Sequence, residues 1–420
     1  MHRIIAALLA ASPCAQIAQA QPMASTPASP PFTLKRALEL AGAVSPSLEA
    51  ASAEVRANQA GRQIAGLRPN PSVTVETENV AGTGPYRGTD AAETTASLTL
   101  PIELGGKRSA RIAVAKARTG RATVEAAVAQ ADLRLRVILA YVEATAAERR
   151  LDTAIDQARI AAESLRAAMV RVQAGRASPI EAQRANVARL NAEAEAMRAE
   201  RLAELSRFTL AQLVGEPVAG ALDASWFGRM PRGIDPSPRI DSAGTLAVAA
   251  AEAELSIADA GVRLAQSQRT PDLTLGAGAR RFADTNDNAA LFSLSIPIPL
   301  FNQGQAAVAQ ASAERQRASA QRRVVAFDVD QAIARAQTEA ANAATSAATA
   351  SGPALRAAEE AARIARIGYR EGKFGQLDLL DAERMLAATR TAAIDALLAY
   401  HIAQAQLERL TTRAPDHRGE

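Results

Sequence analysis

Leu98-Thr-Leu-Pro-Ile-Glu-Leu-Gly-Gly-Lys-Arg108 returns later in the chain as Leu294-Ser-Ile-Pro-Ile-Pro-Leu-Phe-Asn-Gln-Gly304. In each copy an alternating apolar run meets a proline and then opens into a long alanine-rich stretch with helical periodicity. Pro101 and Pro297 lie 196 residues apart (297 − 101). A second echo keeps nearly the same spacing: Val170-Arg-Val-Gln-Ala-Gly-Arg176 matches Gly368-Tyr-Arg-Glu-Gly-Lys373, with Gly175 and Gly372 separated by 197 (372 − 175). A repeat this long is a duplicated half of a fold, not a short solenoid unit.

Working outward from these stretches gives the plan of one half. A helix is predicted from Thr33, its cap, to about Leu67, with Pro46 as a local break and Pro69 and Pro71 ending it. Strands follow at 72–80 and 94–104. In the second, Ala96, Leu98, Leu100, Ile102 and Leu104 fall on one face, with Thr95, Ser97, Thr99 and Glu103 on the other. From Gly105 to Gly175 there is no proline, and apolar residues recur at 4,3 spacing through Val124, Val128, Ala131, Leu135, Ile138 and Val142. That is a coiled-coil seam, and at 1.5 Å per residue it makes a rod of about 105 Å. The chain turns near Gly175 and returns as a helix to about Val214.

The second half repeats the order. A helix runs from about Asp241 to Arg269, and strands are expected at 273–282 and 290–300. The last of these puts Phe292, Leu294, Ile296, Ile298 and Leu300 on one face and Ser293 and Ser295 on the other. A second rod then runs to a turn near Gly372, with a kink expected at Gly352-Pro353. The return helix reaches about Leu410. The organisation is therefore a first repeat over 33–214, a Gly/Pro-rich linker over 215–240 that holds Trp226, a second repeat over 241–410, and a tail over 411–420. Ahead of them lie an export signal over 1–20 and a Pro/Ser/Ala linker over 21–32. The signal reads as Arg3, the apolar run Ile4 to Ala11, and the cleavage site Ala18-Gln-Ala20. Ala11-Ser-Pro-Cys14 is a poor lipobox, so Cys14 leaves with the signal and the mature chain holds no thiol for a disulfide or metal.

Composition excludes several functions. The residues are 48% hydrophobic but only 3% aromatic, which suits long helices in close contact better than a compact core. Forty-eight bases against 44 acids leave +4, a mixed surface that makes no case for nucleic acid. No run of apolar residues is long enough for a spanning helix. Gly105-Gly-Lys-Arg108 lacks the spacing and trailing Ser/Thr of a phosphate loop. His401 and His417 stand apart, so no metal-ligand set is expected, and no nucleophile–base constellation marks an enzyme or calls for a cofactor.

Each predicted strand has about the 9–11 residues that cross a bilayer when tilted, with one apolar and one polar face. Four strands cannot close a barrel, since membrane barrels begin at about eight, and an open edge is not tolerated in lipid. The expected fold class is accordingly mainly α with a β-barrel part. Each chain supplies duplicated long helical hairpins and four transmembrane strands, closed as a twelve-stranded barrel in a homotrimer. From the residues alone, a soluble periplasmic coiled coil whose hairpins pack on its own helices also accounts for the strands.

The duplicated Leu-Pro-Ile-x-Leu junction, the paired Gly175 and Gly372 turns and Leu377-Asp-Leu-Leu-Asp381 resemble TolC-type outer-membrane efflux factors. Pro101-Ile-Glu-Leu-Gly-Gly-Lys-Arg108 and Arg269-Thr-Pro-Asp-Leu-Thr-Leu275 look most like the branch serving cobalt–zinc–cadmium efflux pumps. The resemblance implies an exit duct for divalent metal cations, seated in outer-membrane lipid and reaching through the periplasm. A periplasmic adaptor and an inner-membrane proton-driven pump of the RND type would be its partners. Ducts for drugs or for type I protein secretion share the same features. In the family the acidic positions matching Asp378 and Asp381 line the periplasmic entrance, and the duplication aligns them with Glu181 and Arg184. These four form the expected gate, with Arg184 pairing tip carboxylates. The alternative is that all four are solvated surface charges worth about 0–1 kcal/mol per pair. Gly175, Arg176, Gly372, Lys373 and Phe374 would cap the tip and meet the adaptor.

Overall fold

A computed structural model describes residues 31–230 and 240–415. The expected export signal, most of the linker after it, part of the 215–240 linker and His417 lie outside the described residues.

Thr33 accepts a hydrogen bond from Arg36 N–H and starts α1 (Leu34–Val44), and Pro46, which has no N–H to lose in a first turn, starts α2 (Pro46–Ala65). Two strands, β1 (Ser72–Glu78) and β2 (Glu93–Ile102), lead into α3 (Lys107–Gln173), a single helix of 67 residues, and its return leg α4 (Pro179–Val214). The second copy runs α5 (Leu246–Ser267), β3 (Leu273–Phe282), β4 (Asn288–Ser295), α6 (Gln305–Thr349), α7 (Leu355–Arg370) and α8 (Gln376–Thr411). α2 and α4 both lie along α3, while α5 and α8 both lie along α6. Between α6 and α7 a wide π-type turn spans Ala350–Ala354. Gly352 leaves helical geometry there and Pro353 has no N–H to give, which together produce the kink.

The strands form one antiparallel sheet in the order β1-β2-β3-β4. Register sorts the side chains cleanly. Val73, Leu98, Ala277 and Phe292 sit side by side on one face; Ser72, Thr99, Gly276 and Ser293 sit side by side on the other. The apolar face is bare: Phe292 is 82% exposed and Val73 73%. β1 and β4 leave two unpaired edges.

Three strand ends differ from expectation. β4 stops at Ser295, short of Leu300, because Pro297 and Pro299 have no N–H for the ladder. β1 stops at Glu78, short of Val80, because Asn79 and Ala81 take left-handed backbone. β2 stops at Ile102, short of Leu104, whose N–H donates to Asp272 Oδ1 (3.1 Å). α5 likewise begins at Leu246 and not near Asp241, since Gly244 is left-handed and Thr245 takes the cap position.

That last bond in β2 joins the two stretches that carried the branch resemblance. Lys107 Nζ lies 2.7 Å from Asp272 Oδ1, and Arg111 pairs with Glu103 through both arms while its Nη2 also donates to Leu67 O (3.2 Å). Gly105 is left-handed (φ 66°), and a Cβ placed there would lie 2.5 Å from Thr270 Cβ and 2.9 Å from Ser267 O. Gly106 is also left-handed, but its Cβ would meet only Ser109 Oγ at 3.3 Å. The left-handed backbone alone costs an alanine about 1–2 kcal/mol. Gly105→Ala is therefore expected to lower Tm well below Gly106→Ala, which isolates the overlap with Thr270. Equal Tm losses in thermal unfolding would refute the contact.

The apolar core gathers at mid-height. Tyr141, wholly buried in α3, donates to Phe32 O (2.6 Å) and accepts from Asp223 N–H (3.1 Å), so the segment before α1 and the inter-repeat belt are tied to one phenol. Beside it Val142, Ala146, Phe227, Ala344, Leu397 and Tyr400 bury a cluster shared by both repeats. His401 belongs here: its Nε2 lies 2.9 Å from Phe227 O, its ring 4.6 Å from that of Trp226, and burial holds its pKa below the ordinary histidine value. Among the described residues no helix is long and apolar enough to cross a membrane.

Candidate functional site: the tip of the two helical hairpins

Both hairpins turn in the same way. After α3, Gly175 N–H donates to Val172 O (3.0 Å) and Arg176 N–H to Arg171 O (2.8 Å). After α7, Gly372 N–H donates to Tyr369 O (3.1 Å) and Lys373 N–H to Gly368 O (2.8 Å). This pair of bonds is the Schellman motif, which needs a left-handed residue, and Gly175 (φ 70°) and Gly372 (φ 73°) supply it. The two glycines shape the turns; Arg176 and Lys373 stand exposed on them, and the Phe374 ring lies against Gly368.

The return helices start with caps of different kinds. Ser178 Oγ accepts from Ile180 N–H (3.4 Å) ahead of α4. Ahead of α8, Asp378 reaches back so that its Oδ2 accepts Gly375 N–H (2.9 Å), where the positive end of the helix dipole also favours an anion. Asp378 thus holds the first turn of α8 while remaining exposed, and Asp381 is exposed one turn further. Both line an open groove between α4 and α8 with Gln183, Arg184, Leu377 and Arg384. Arg184 shares that groove with the two carboxylates but makes no ion pair with them within the chain. Arg384, a second cation on the same groove, was not singled out from the sequence.

Glu181 lies elsewhere, on the seam between the hairpins. Its backbone oxygen accepts from Gln376 Nε2 (2.6 Å), a side chain only 7% exposed. Across the seam the Arg171 guanidinium stacks 4.6 Å from the centre of the Tyr369 ring and donates to Tyr369 O (3.3 Å), so an arginine of the first hairpin caps the end of α7 in the second. Burial raises the Tyr369 pKa, with Arg171 opposing and Glu181 adding to the rise. Four polar atoms here are buried without a protein partner: Arg171 Nε, Glu181 Oε2, Tyr369 Oη and Gln376 Oε1. Buried polar atoms left unpaired cost about 1–3 kcal/mol each, so this seam is held weakly for its burial. Glu181 was expected beside Asp378 and Asp381 from the duplication, not on this seam; Arg171, Tyr369 and Gln376 were not expected at all, because the turn glycine and the helical spacing say nothing about which side chains meet across two hairpins.

Above the tip the hairpins are joined by charge. Arg150 lies 2.7 Å from Asp395, and Arg390 2.9 Å from Asp156, all between α3 and α8. Arg366 clamps the nearly buried Glu383 between α7 and α8.

A strand sheet at one end, duplicated rods and paired glycine turns at the other match the outer membrane efflux protein family, whose model covers residues 37–216 and 243–413. The chain belongs to that family. It is 31% identical over 392 residues to the cobalt-zinc-cadmium resistance protein CzcC of Cupriavidus metallidurans, covering 91% of this chain and 90% of that protein. The nickel and cobalt resistance protein CnrC of the same organism is 32% identical over 73% of this chain and 72% of its own length. Among solved structures, the outer membrane protein VceC of Vibrio cholerae superposes with a TM-score of 0.72 at 21% identity, over 90% of this chain and 95% of that one. This efflux protein is an outer-membrane protein, and its sheet is the part with a face fit for lipid.

Proposed function

We propose that this efflux protein is the exit duct of a tripartite pump for divalent metal cations, built as a homotrimer. The observation that carries the reading is the sheet: four strands, one apolar face bare to the surroundings, one polar face, and two open edges. In hydrocarbon both edges need partners, and pairing β4 of one copy with β1 of the next in a ring of three makes a closed twelve-stranded wall. The helices support the same assembly. α4 leaves Val187, Leu190, Met197, Leu205 and Phe208 half or more exposed, and α6 leaves Val324 and Phe327 so. Apolar stripes of this kind on single helices call for a neighbouring copy.

The cargo is inferred from the relatives, CzcC and CnrC being named for resistance to cobalt, zinc, cadmium and nickel. A periplasmic adaptor and an RND-type inner-membrane pump complete the path, meeting the tip at Arg176, Lys373 and Phe374. Asp378, Asp381, Glu181 and Arg184 guard the entrance there. Deleting the gene is expected to lower tolerance to cobalt, zinc or cadmium and leave antibiotic tolerance unchanged. The opposite pattern would move the cargo to drugs. Purified protein that ran as a monomer in detergent, both unheated and boiled, would remove the duct.

A further inference from the structure

The polar face of the sheet changes character along its length. Near the helices it carries Ser72, Thr99, Gly276 and Ser293; toward the β1–β2 turn it carries Glu78, Glu93 and, one strand over, Arg280. Glu78 and Glu93 are register partners, so two carboxylates stand directly opposite one another, an unfavourable pair when alone. Arg280 ties them together. Its Nη1 donates to Glu93 Oε2 (2.7 Å), its Nη2 lies 3.2 Å from Glu78 Oε2, and its Nε donates to Thr95 Oγ1 (2.9 Å). Asn79 Nδ2 donates to the other Glu93 oxygen (3.2 Å).

We propose that Arg280 is a specificity-determining residue of the duct: by occupying one oxygen of Glu78 and one of Glu93, it keeps this facing pair from capturing a divalent cation in transit. The inference rests on the metal-duct reading, with the polar face of the sheet lining the passage. Opposed residues in a ladder have Cβ atoms about 5 Å apart, so two glutamates there reach a shared point from both sides. Carboxylate pairs are ordinary ligands of divalent cations. A conducting path must hold its ion weakly enough to release it, and a bare pair at the exit works against release. An arginine suits the task because its charge is permanent and its planar fork serves two carboxylates and a hydroxyl at once. Side-chain exposures of 32% for Arg280, 46% for Glu78 and 25% for Glu93 leave the group open to ions from one side.

The test is equilibrium dialysis of the purified oligomer against Cd2+. Arg280→Gln is expected to gain one bound Cd2+ per chain over wild type. The triple variant Arg280→Gln/Glu78→Gln/Glu93→Gln is expected to lose that gain, which a purely structural role for Arg280 does not require. An Arg280→Gln oligomer that binds no more Cd2+ than wild type overturns the proposal, as does a gain that survives in the triple variant. Should Arg280→Gln fail to assemble, Glu78→Gln/Glu93→Gln leaves the arginine unpaired on the wall. The zero-current potential in planar bilayers must then shift toward anion preference, and no shift overturns the proposal. Wild-type protein that opens no channels removes the duct itself, whereas conducting wild type beside an Arg280→Gln oligomer indifferent to Cd2+ removes only the role of Arg280.

Discussion

In planar bilayers under a salt gradient, the Asp378→Asn/Asp381→Asn double variant is expected to lose its cation preference and to cross to anion preference. The groove at the tip holds both carboxylates together with Arg184 and Arg384. The four charges cancel in each chain, so removing the two carboxylates leaves two unopposed arginines and the local field becomes positive. A charge about 6 Å from the ion path in water contributes about 0.7 kcal/mol, a bias of about threefold in local ion concentration, and a ring of copies multiplies it. Asparagine at this third helical position still offers a side-chain oxygen to Gly375 N–H, so the first turn of α8 keeps that bond. The effect should be largest in dilute salt, since the screening length at physiological ionic strength is about 8 Å. Arg184→Gln is the counter-test, with an expected rise in cation preference. A zero-current potential that stays put in both variants would sink the role given to these residues and return them to ordinary solvated charges.

Much of the architecture was readable because it is written in short-range patterns. Period-2 alternation at Leu98, Leu100 and Ile102 marks which strand face is apolar without any knowledge of neighbours. Gly175 and Gly372 announce turns because few other residues take a left-handed backbone cheaply. Strand ends were less readable. The apolar alternation continues through Ile296, Ile298 and Leu300, yet Pro297 and Pro299 end the hydrogen bonding, so hydropathy and ladder chemistry point to different limits. Candidate residues for the site came from the family resemblance for Asp378 and Asp381 and from the duplication for Glu181 and Arg184. Asp378 was read as a lining charge, but its cap on Gly375 is a local bond that its position three residues into a helix allows. Partnerships across distant elements left no trace in spacing: Arg280 with Glu78 and Glu93, Arg171 with Tyr369, and Gln376 with Glu181 join residues that only the tertiary fold brings together.

Arg171→Ala/Gln376→Ala is expected to raise conductance through the periplasmic end and to sensitise cells to a bulky antibiotic that the outer membrane normally excludes. The reason lies in how unevenly the two hairpins are joined. At the belt they share a buried apolar cluster that includes Val142, Phe227, Ala344 and Leu397, and such packing resists displacement. Between belt and tip they are joined by ion pairs such as Arg150–Asp395 and Asp156–Arg390. Both aspartates are more than a third exposed, and exposed pairs contribute about 0–1 kcal/mol each. At the tip itself the seam depends on the Arg171 stack over Tyr369 and the Gln376 bond to Glu181, with four buried polar atoms left unpaired. Removing a hydrogen bond of this kind costs about 1 kcal/mol and the cation–π contact a similar amount. Each 1.4 kcal/mol shifts a two-state population about tenfold, so the double variant moves the tip toward the separated state while the belt stays fixed. Arg134→Gln/Glu408→Gln breaks another link between α3 and α8, at the belt end of the seam and far from the tip, and is expected to leave conductance unchanged. If that pair opened the duct and Arg171→Ala/Gln376→Ala did not, the hinge would lie at the sheet end and the tip seam would have no part in closure.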